Sequence, residues 1–189
     1  MADAEKILAD CDALMTGHFI LTSGRHSDKY MQCARLIQNP AKTMELCGIL
    51  ADAFKGDSID AVAAPAVGGI VVGYEIARQL GAASIFAERE NGAMTFRRGF
   101  SVKPGERVLV AEDVVTTGGS VLEVISLVKA MGGIVVGVAL LVDRSGGSVD
   151  LGAKTVAAYT ASIESFDPDN CPLCKEGKIP PIKPGSRKA

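Results

Sequence analysis

From Ile59 onward, short and almost wholly apolar runs alternate with stretches that carry one apolar face at helical spacing. The runs at 59–64, 83–87, 108–111, 134–142 and 155–159 are rich in β-branched or small residues and too unrelieved for amphipathic helices. They read as strands, buried on both faces where the run is fully apolar. Residues 70–80 and 119–131 read as helices, the second with Val121, Ile125 and Val128 facing inward. Strand, glycine turn and helix in repetition is the rhythm of a parallel sheet. The expected class is therefore α/β, a mainly parallel central sheet flanked by helices.

The pattern differs on either side of this core. Ala4, Ile7, Leu8, Cys11, Leu14 and Met15 predict an amphipathic helix over 3–15, followed by a strand at 18–21, a break at 22–27 and an extended stretch over 28–36. A helix from Pro40 to about Gly56 should place Met44, Cys47, Ala51 and Phe54 on one face. Residues 88–104 interrupt the rhythm with polar sequence, three arginines and an Asn91-Gly92 turn, so a mobile hairpin is expected there. Past Asp167 the chain is polar and proline-rich. No internal repeat is visible. The expectation is one domain over 1–189, with a small N-terminal hood (1–36 plus a C-terminal segment), a core of about 40–160 and a proline-rich tail at 168–189.

Composition narrows the class. A length of 189 residues, 48% hydrophobic and 22% charged, suits one globular domain. The formal net charge of −2, with lysines and arginines scattered, argues against a nucleic-acid binder, which needs a basic stripe to neutralise phosphates. No apolar run approaches the ~20 residues that span a bilayer, and the first residues lack a signal-sequence pattern. No membrane role and a cytoplasmic location are expected. Cys11, Cys33 and Cys47 read as reduced structural thiols, while Cys171 and Cys174 form a separate close pair.

Candidate chemistry concentrates at strand ends, where open parallel sheets bind ligands. The run from Val108 ends in Glu112-Asp113 and a Thr116-Thr117-Gly118-Gly119-Ser120 turn that opens a helix. Glycines permit positive φ, successive N–H groups converge on an anion, and the helix dipole points the same way, so this is a phosphate cradle. It is neither a Walker loop nor a dinucleotide turn, since no Gly-Lys-Ser/Thr and no Gly-x-Gly-x-x-Gly occurs there. Pro65-Ala66-Val67-Gly68-Gly69 is a second turn where backbone could approach a ligand, or a plain tight turn. Arg144, after an apolar strand and Asp143, offers a planar fork to a carboxylate or heterocycle, or else a structural salt bridge with Asp143 or a neighbour. Cys171 and Cys174 have the spacing of half a zinc site, of a redox pair or of a buried structural turn, but a zinc site would need two subunits. His18 and His26 show no metal-like spacing, and His26 is expected at the surface.

The Glu112 to Ser120 stretch resembles the phosphoribosyl-diphosphate (PRPP) loop of type I phosphoribosyltransferases. Leu141-Val142-Asp143-Arg144, with Thr22-Ser23-Gly24-Arg25-His26-Ser27-Asp28-Lys29-Tyr30, is similar to the orotate-specific members. The resemblance spans about 17–160. It implies that Glu112 and Asp113 bind the ribose hydroxyls, that Val114 and Val115 belong to the PRPP-binding loop, that Thr116, Thr117, Gly118, Gly119 and Ser120 hold the 5-phosphate, and that Gly68 and Gly69 belong to the pyrophosphate loop. Orotate would meet Thr116, Arg144 and a hood of Thr22, Ser23, Gly24 and Arg25. Mg²⁺ would be carried by PRPP, with water-mediated contacts to Glu112 and Asp113. Basic residues of the hairpin would complete the neighbouring site in a homodimer.

Two positions depart from the family pattern. Thr22 stands where many members have a base-contacting lysine, which leaves Arg25 or Lys29 to supply the charge. Arg89 is followed by Glu90 where an Arg-Lys pair is usual, and Arg97 and Arg98 are the replacements at hand. The implied activity is phosphoribosyl transfer to orotate in pyrimidine nucleotide synthesis. The rival readings are a purine phosphoribosyltransferase or a non-catalytic PRPP-sensing regulator.

Overall fold

The computed structural model describes residues 3–21, 23–161 and 163–184. Its main sheet has six strands in the order β5-β4-β3-β6-β7-β8, where β3 is Ala61–Pro65, β4 Ala83–Glu90, β5 Ala93–Phe96, β6 Arg107–Val115, β7 Ile134–Asp143 and β8 Thr155–Thr160. All neighbours are parallel except β4 and β5. Counted along the chain, the five parallel strands run 2-1-3-4-5. The order reverses between β3 and β6, which makes the carboxyl ends of those two strands the expected ligand crevice.

Side-chain alternation along the strands divides the core in two. Val62, Leu109 and Leu141 face helices α3 (Pro40–Phe54) and α4 (Gly68–Leu80), meeting Leu46, Leu50, Phe54, Val72 and Ile76. Ala63, Val110 and Leu140 face the other way, onto Val121, Val124, Ile125 and Val128 of α5 (Gly119–Ala130). Each of the larger apolar side chains here is worth about 1.5–3 kcal/mol in burial. Both layers must be kept apolar, and that is why the strands read as unbroken hydrophobic runs.

The sequence expectation needs correction at several boundaries. Helix α1 covers only Ala4–Asp10, because Asp12 takes a left-handed φ of 51° and turns the chain away. Leu14 and Met15 enter strand β1 (Leu14–Ile20) instead, which pairs antiparallel with β2 (His26–Met31). Residues 33–37 are not extended. They form the short helix α2 (Cys33–Ile37), with Cys33 and Leu36 buried one turn apart. On α3 the inward stripe is Leu46, Cys47, Leu50, Ala51 and Phe54, while Met44 is 48% exposed. Strand β6 continues past Ala111, so both acidic residues lie inside it. The Asn91-Gly92 turn forms as expected, with φ of 52° and 86°, and joins β4 to β5 on the sheet edge.

The β1–β2 pair is bound to the far end of the chain. His26 and Phe166 exchange backbone hydrogen bonds of 2.9 and 2.7 Å, and Ile182 bridges Ile20 and His18 at 2.8 and 2.9 Å. Between these contacts the tail forms a 3-10 turn, Pro168–Asn170, and helix α6, Pro172–Glu176. Among the described residues no helix is long and apolar enough to cross a membrane.

Candidate active site

The crevice at the β3/β6 switch is built by two carboxylates facing two glycines. Glu112 is buried, and its Oε1 accepts the Asp113 N–H at 3.0 Å. Asp113 Oδ1 accepts the Val114 N–H at 2.9 Å. Across from them, a Cβ placed on Gly69 would lie 2.9 Å from Glu112 Oε1, and one on Gly68 would overlap the Asp113 carboxylate. Gly68 and Gly69 are thus required by the acidic pair, and the start of α4 sits directly against it. The Ala66–Val67 peptide leading into this turn is cis.

Burial pushes the Glu112 carboxyl well above the usual carboxylate range. The hydrogen bond and charge of Asp113 act in the same direction, and only the Asp113 backbone N–H opposes them. Glu112 is therefore a carboxyl that resists ionisation.

The turn that follows is an open anion cradle. Gly118 has φ 78° and ψ 0°, and a Cβ there would meet Leu151 and Val149 at 2.8 and 2.9 Å. No side chain caps α5, so the N–H groups of its first turn face the crevice without an internal acceptor. Val114, Val115, Thr116, Thr117, Gly118, Gly119 and Ser120 line a cleft of about 290 Å³ together with Glu112, Arg89, Val121 and Glu123. Glu123 escaped the sequence reading. It lies one turn into α5 and holds Arg89 in a two-pronged ion pair at 2.6 and 3.0 Å.

Arg144 lies beside this cleft at the end of β7, its backbone N–H bonded to the Val115 carbonyl at 2.8 Å. Its Nε is buried and has no hydrogen-bond partner among the described residues. The alternative of an ion pair with Asp143 does not hold. The Asp143 carboxylate accepts from Ser145 N, Ser145 Oγ and Gly147 N at 2.7, 2.6 and 2.9 Å, organising its own loop. Cys33 marks how near Arg144 is to the acidic pair. Burial, helped by the charges of Asp113 and Glu112 and opposed by the Arg144 cation, drives its thiol up to about 12. Cys33 is therefore a protonated structural thiol.

Other expected site residues are placed elsewhere. Ser23 and Gly24 are exposed at the tip of the β1–β2 loop, and Thr22 lies outside the described residues. Arg25 donates from Nε to Ser165 Oγ at 2.9 Å and from Nη2 to the Ser165 carbonyl at 2.6 Å, fastening the hood to the C-terminal segment. Arg97 pairs with Glu90 at 3.4 Å, and Arg98 with Glu88 at 3.1 Å, both on their own hairpin. His26 is not at the surface. It and His18 are buried together, in contact with Cys174, while Cys171 meets His18, so the histidines and the cysteine pair share one location.

Residues 33–158 match the family model for the phosphoribosyl transferase domain, and the chain belongs to that family. Within it, the chain is similar to proteins named orotate phosphoribosyltransferase. The one from Pelotomaculum thermopropionicum is 59% identical over 93% of this chain and 92% of its own length. That from Desulforamulus reducens is 56% identical over 96% and 95%. Among solved structures, the orotate phosphoribosyltransferase of Aeropyrum pernix superposes with a TM-score of 0.67 at 26% identity, covering 82% of this chain and 92% of the other. The adenine phosphoribosyltransferase of Rhodothermus marinus reaches the same 0.67 at 18% identity, so the fold by itself does not choose the base.

Proposed function

We propose that this chain transfers the phosphoribosyl group of PRPP to orotate, giving orotidine 5′-monophosphate and pyrophosphate. The observation that carries the acceptor's identity is similarity of 51–59% along nearly the whole chain to orotate phosphoribosyltransferases. Arg144 supplies a chemical reason for it. A half-buried arginine whose Nε is buried and has no partner among the described residues suits a small anionic base better than a neutral purine.

In this reading the cradle from Thr116 to Ser120 holds the 5-phosphate as a fixed anchor, through backbone N–H groups and hydroxyls. Glu112 and Asp113 hydrogen-bond the ribose hydroxyls, and the negative charge the pair carries stabilises the positive charge that builds on the ribose as its anomeric C–O bond breaks. The ring nitrogen of orotate then forms the new C–N bond while the diphosphate leaves toward the Gly68-Gly69 turn. Orotate is already anionic and needs little general-base help, in keeping with a site whose one nearby thiol stays protonated. The oxygen-only donors at the crevice suit Mg²⁺, which the family implies and which would neutralise the departing diphosphate when bound. Glu112 and Asp113 would hold it through water.

The β4–β5 hairpin would cover the site during transfer and exclude water, and in a homodimer it would complete the neighbouring site. Arg89 already lines the cleft of its own chain. Arg97 and Arg98 would serve only by leaving Glu90 and Glu88. The hood and core would work as one domain, in the cytoplasm.

The test follows loss of orotate absorbance with PRPP and Mg²⁺. Arg144→Ala should lower kcat/KM for orotate by about 10- to 150-fold, the ~1.5–3 kcal/mol of a charged hydrogen bond. Asp113→Asn should lower kcat. Unchanged rates in both variants would sink the site assignment. Turnover of adenine or hypoxanthine in place of orotate would transfer the protein to the purine reading.

A further inference from the structure

Away from the crevice, four residues that are far apart in sequence converge at the foot of the hood. His18 lies on β1, His26 begins β2, Cys171 immediately precedes α6, and Cys174 lies within α6. One ligand atom from each lies within 4.8 Å of all the others. His18 Nε2 is 3.6 Å from Cys171 Sγ and 3.7 Å from Cys174 Sγ. His26 Nδ1 is 3.3 Å from Cys174 Sγ and 2.9 Å from His18 Nε2. An ion with bonds of about 2.1 Å to nitrogen and 2.3 Å to sulfur in tetrahedral array separates its ligand atoms by roughly 3.3–3.8 Å. The sulfur–nitrogen distances already fall there or just outside, and the two nitrogens need to part by only a few tenths of an ångström.

A second observation, independent of the spacing, orients the site. His18 Nδ1 is 2.9 Å from the Ile179 carbonyl. A carbonyl only accepts, so Nδ1 carries the proton and the Nε2 lone pair faces the space shared by His26 Nδ1 and the two sulfurs. A ring nitrogen fixed by a backbone carbonyl while the other faces inward is the outer-shell arrangement of metal-bound histidine. His18 is only 1% exposed, His26 8%, and Cys171 is fully buried, while Cys174 closes the cluster from the exposed side.

We propose that His18, His26, Cys171 and Cys174 form a structural Zn²⁺ site within a single chain. Two thiolates and two imidazoles select zinc over the hard Mg²⁺ of the transfer reaction. Four protein ligands leave no open position for substrate, so the ion's role is to hold the chain together. Binding displaces one proton from each thiol and gives a neutral centre, two thiolates balancing the dication. The expectation that two subunits would be needed is thereby replaced, because the histidines supply the missing half.

The ion would clasp the C-terminal segment to the two strand ends from which the loop at 21–25 springs. On the reading that this loop covers orotate, metal loss should raise KM for orotate more than it lowers kcat.

The test is elemental analysis of protein purified under reducing conditions without chelator. One zinc per chain is expected, and none in the Cys171→Ser/Cys174→Ser double variant. Because that variant also removes the clasp that folding uses, wild-type protein unfolded in chelator and refolded with Co²⁺ alone provides a second readout. Its spectrum should show the intense ligand-field bands of a tetrahedral thiolate–imidazole site, and Tm should rise with Zn²⁺ or Co²⁺ but not with Mg²⁺. Purified protein that lacks zinc, keeps it in the double variant, carries a Cys171–Cys174 disulfide, or gives an octahedral cobalt spectrum overturns the proposal. Metal content and spectrum do not depend on the base transferred, so failure here is distinguishable from failure of the orotate reading.

Discussion

Glu112 carries the pH dependence that the crevice builds into the protein. Its carboxyl is raised by burial and by Asp113, so the folded chain holds that proton more tightly than the unfolded chain. The sign follows: its contribution to stability is complete below the ordinary carboxylate pKa and is lost as pH rises from there through the folded value. Calorimetry of the ligand-free protein across this window should show Tm falling with pH. Glu112→Gln should flatten the decline and raise Tm at neutral pH while depressing turnover, and an unaltered slope would assign the raised group elsewhere. Glu112, Asp113 and Arg144 were legible in the sequence because each breaks an apolar run at a strand end, where a charge without purpose is costly. Glu123 was not, since a glutamate on an exposed helix turn looks like any solvated charge. His18 and His26 were opaque for another reason: their partners lie about 150 residues away, and no local pattern reports such a pairing.

At the level of elements, the β4–β5 hairpin meets α5 through Arg89 and Glu123, an exposed pair that solvent screens and that adds little to stability. Glu123→Gln should therefore leave Tm almost unmoved. Its effect belongs to substrate: freeing the Arg89 guanidinium should lower KM for PRPP, whereas Arg89→Ala should raise it about tenfold, as measured by initial rates. Equal behaviour of the two variants would show that Arg89 does not meet the diphosphate. The parallel strands and the Asn91-Gly92 turn were readable from local chemistry, from two buried faces in one case and two positive φ values in the other. The ends of β6 and α1 were not. The β6 strand runs on because backbone donors satisfy its carboxylates, and α1 stops because Asp12 adopts a conformation that apolar periodicity does not encode.

Across the whole molecule, the core and the hood depend on different stretches of chain. The sheet is finished at Thr160, yet β1 and β2 take backbone partners from Phe166 and Ile182. Truncation at residue 163 should leave the phosphate cradle folded and strip protection from the Ile20 and His26 amides in hydrogen exchange. Persistent protection there would mean that the β1–β2 pair stands unaided. Which strand lies beside which in the core could be argued from sequence, but this closure could not. The order of synthesis adds a consequence. A nascent chain leaving the ribosome can complete the sheet and the glycine turns at its strand ends while β1 and β2 still lack their last partner, and the hood closes only when residue 182 emerges.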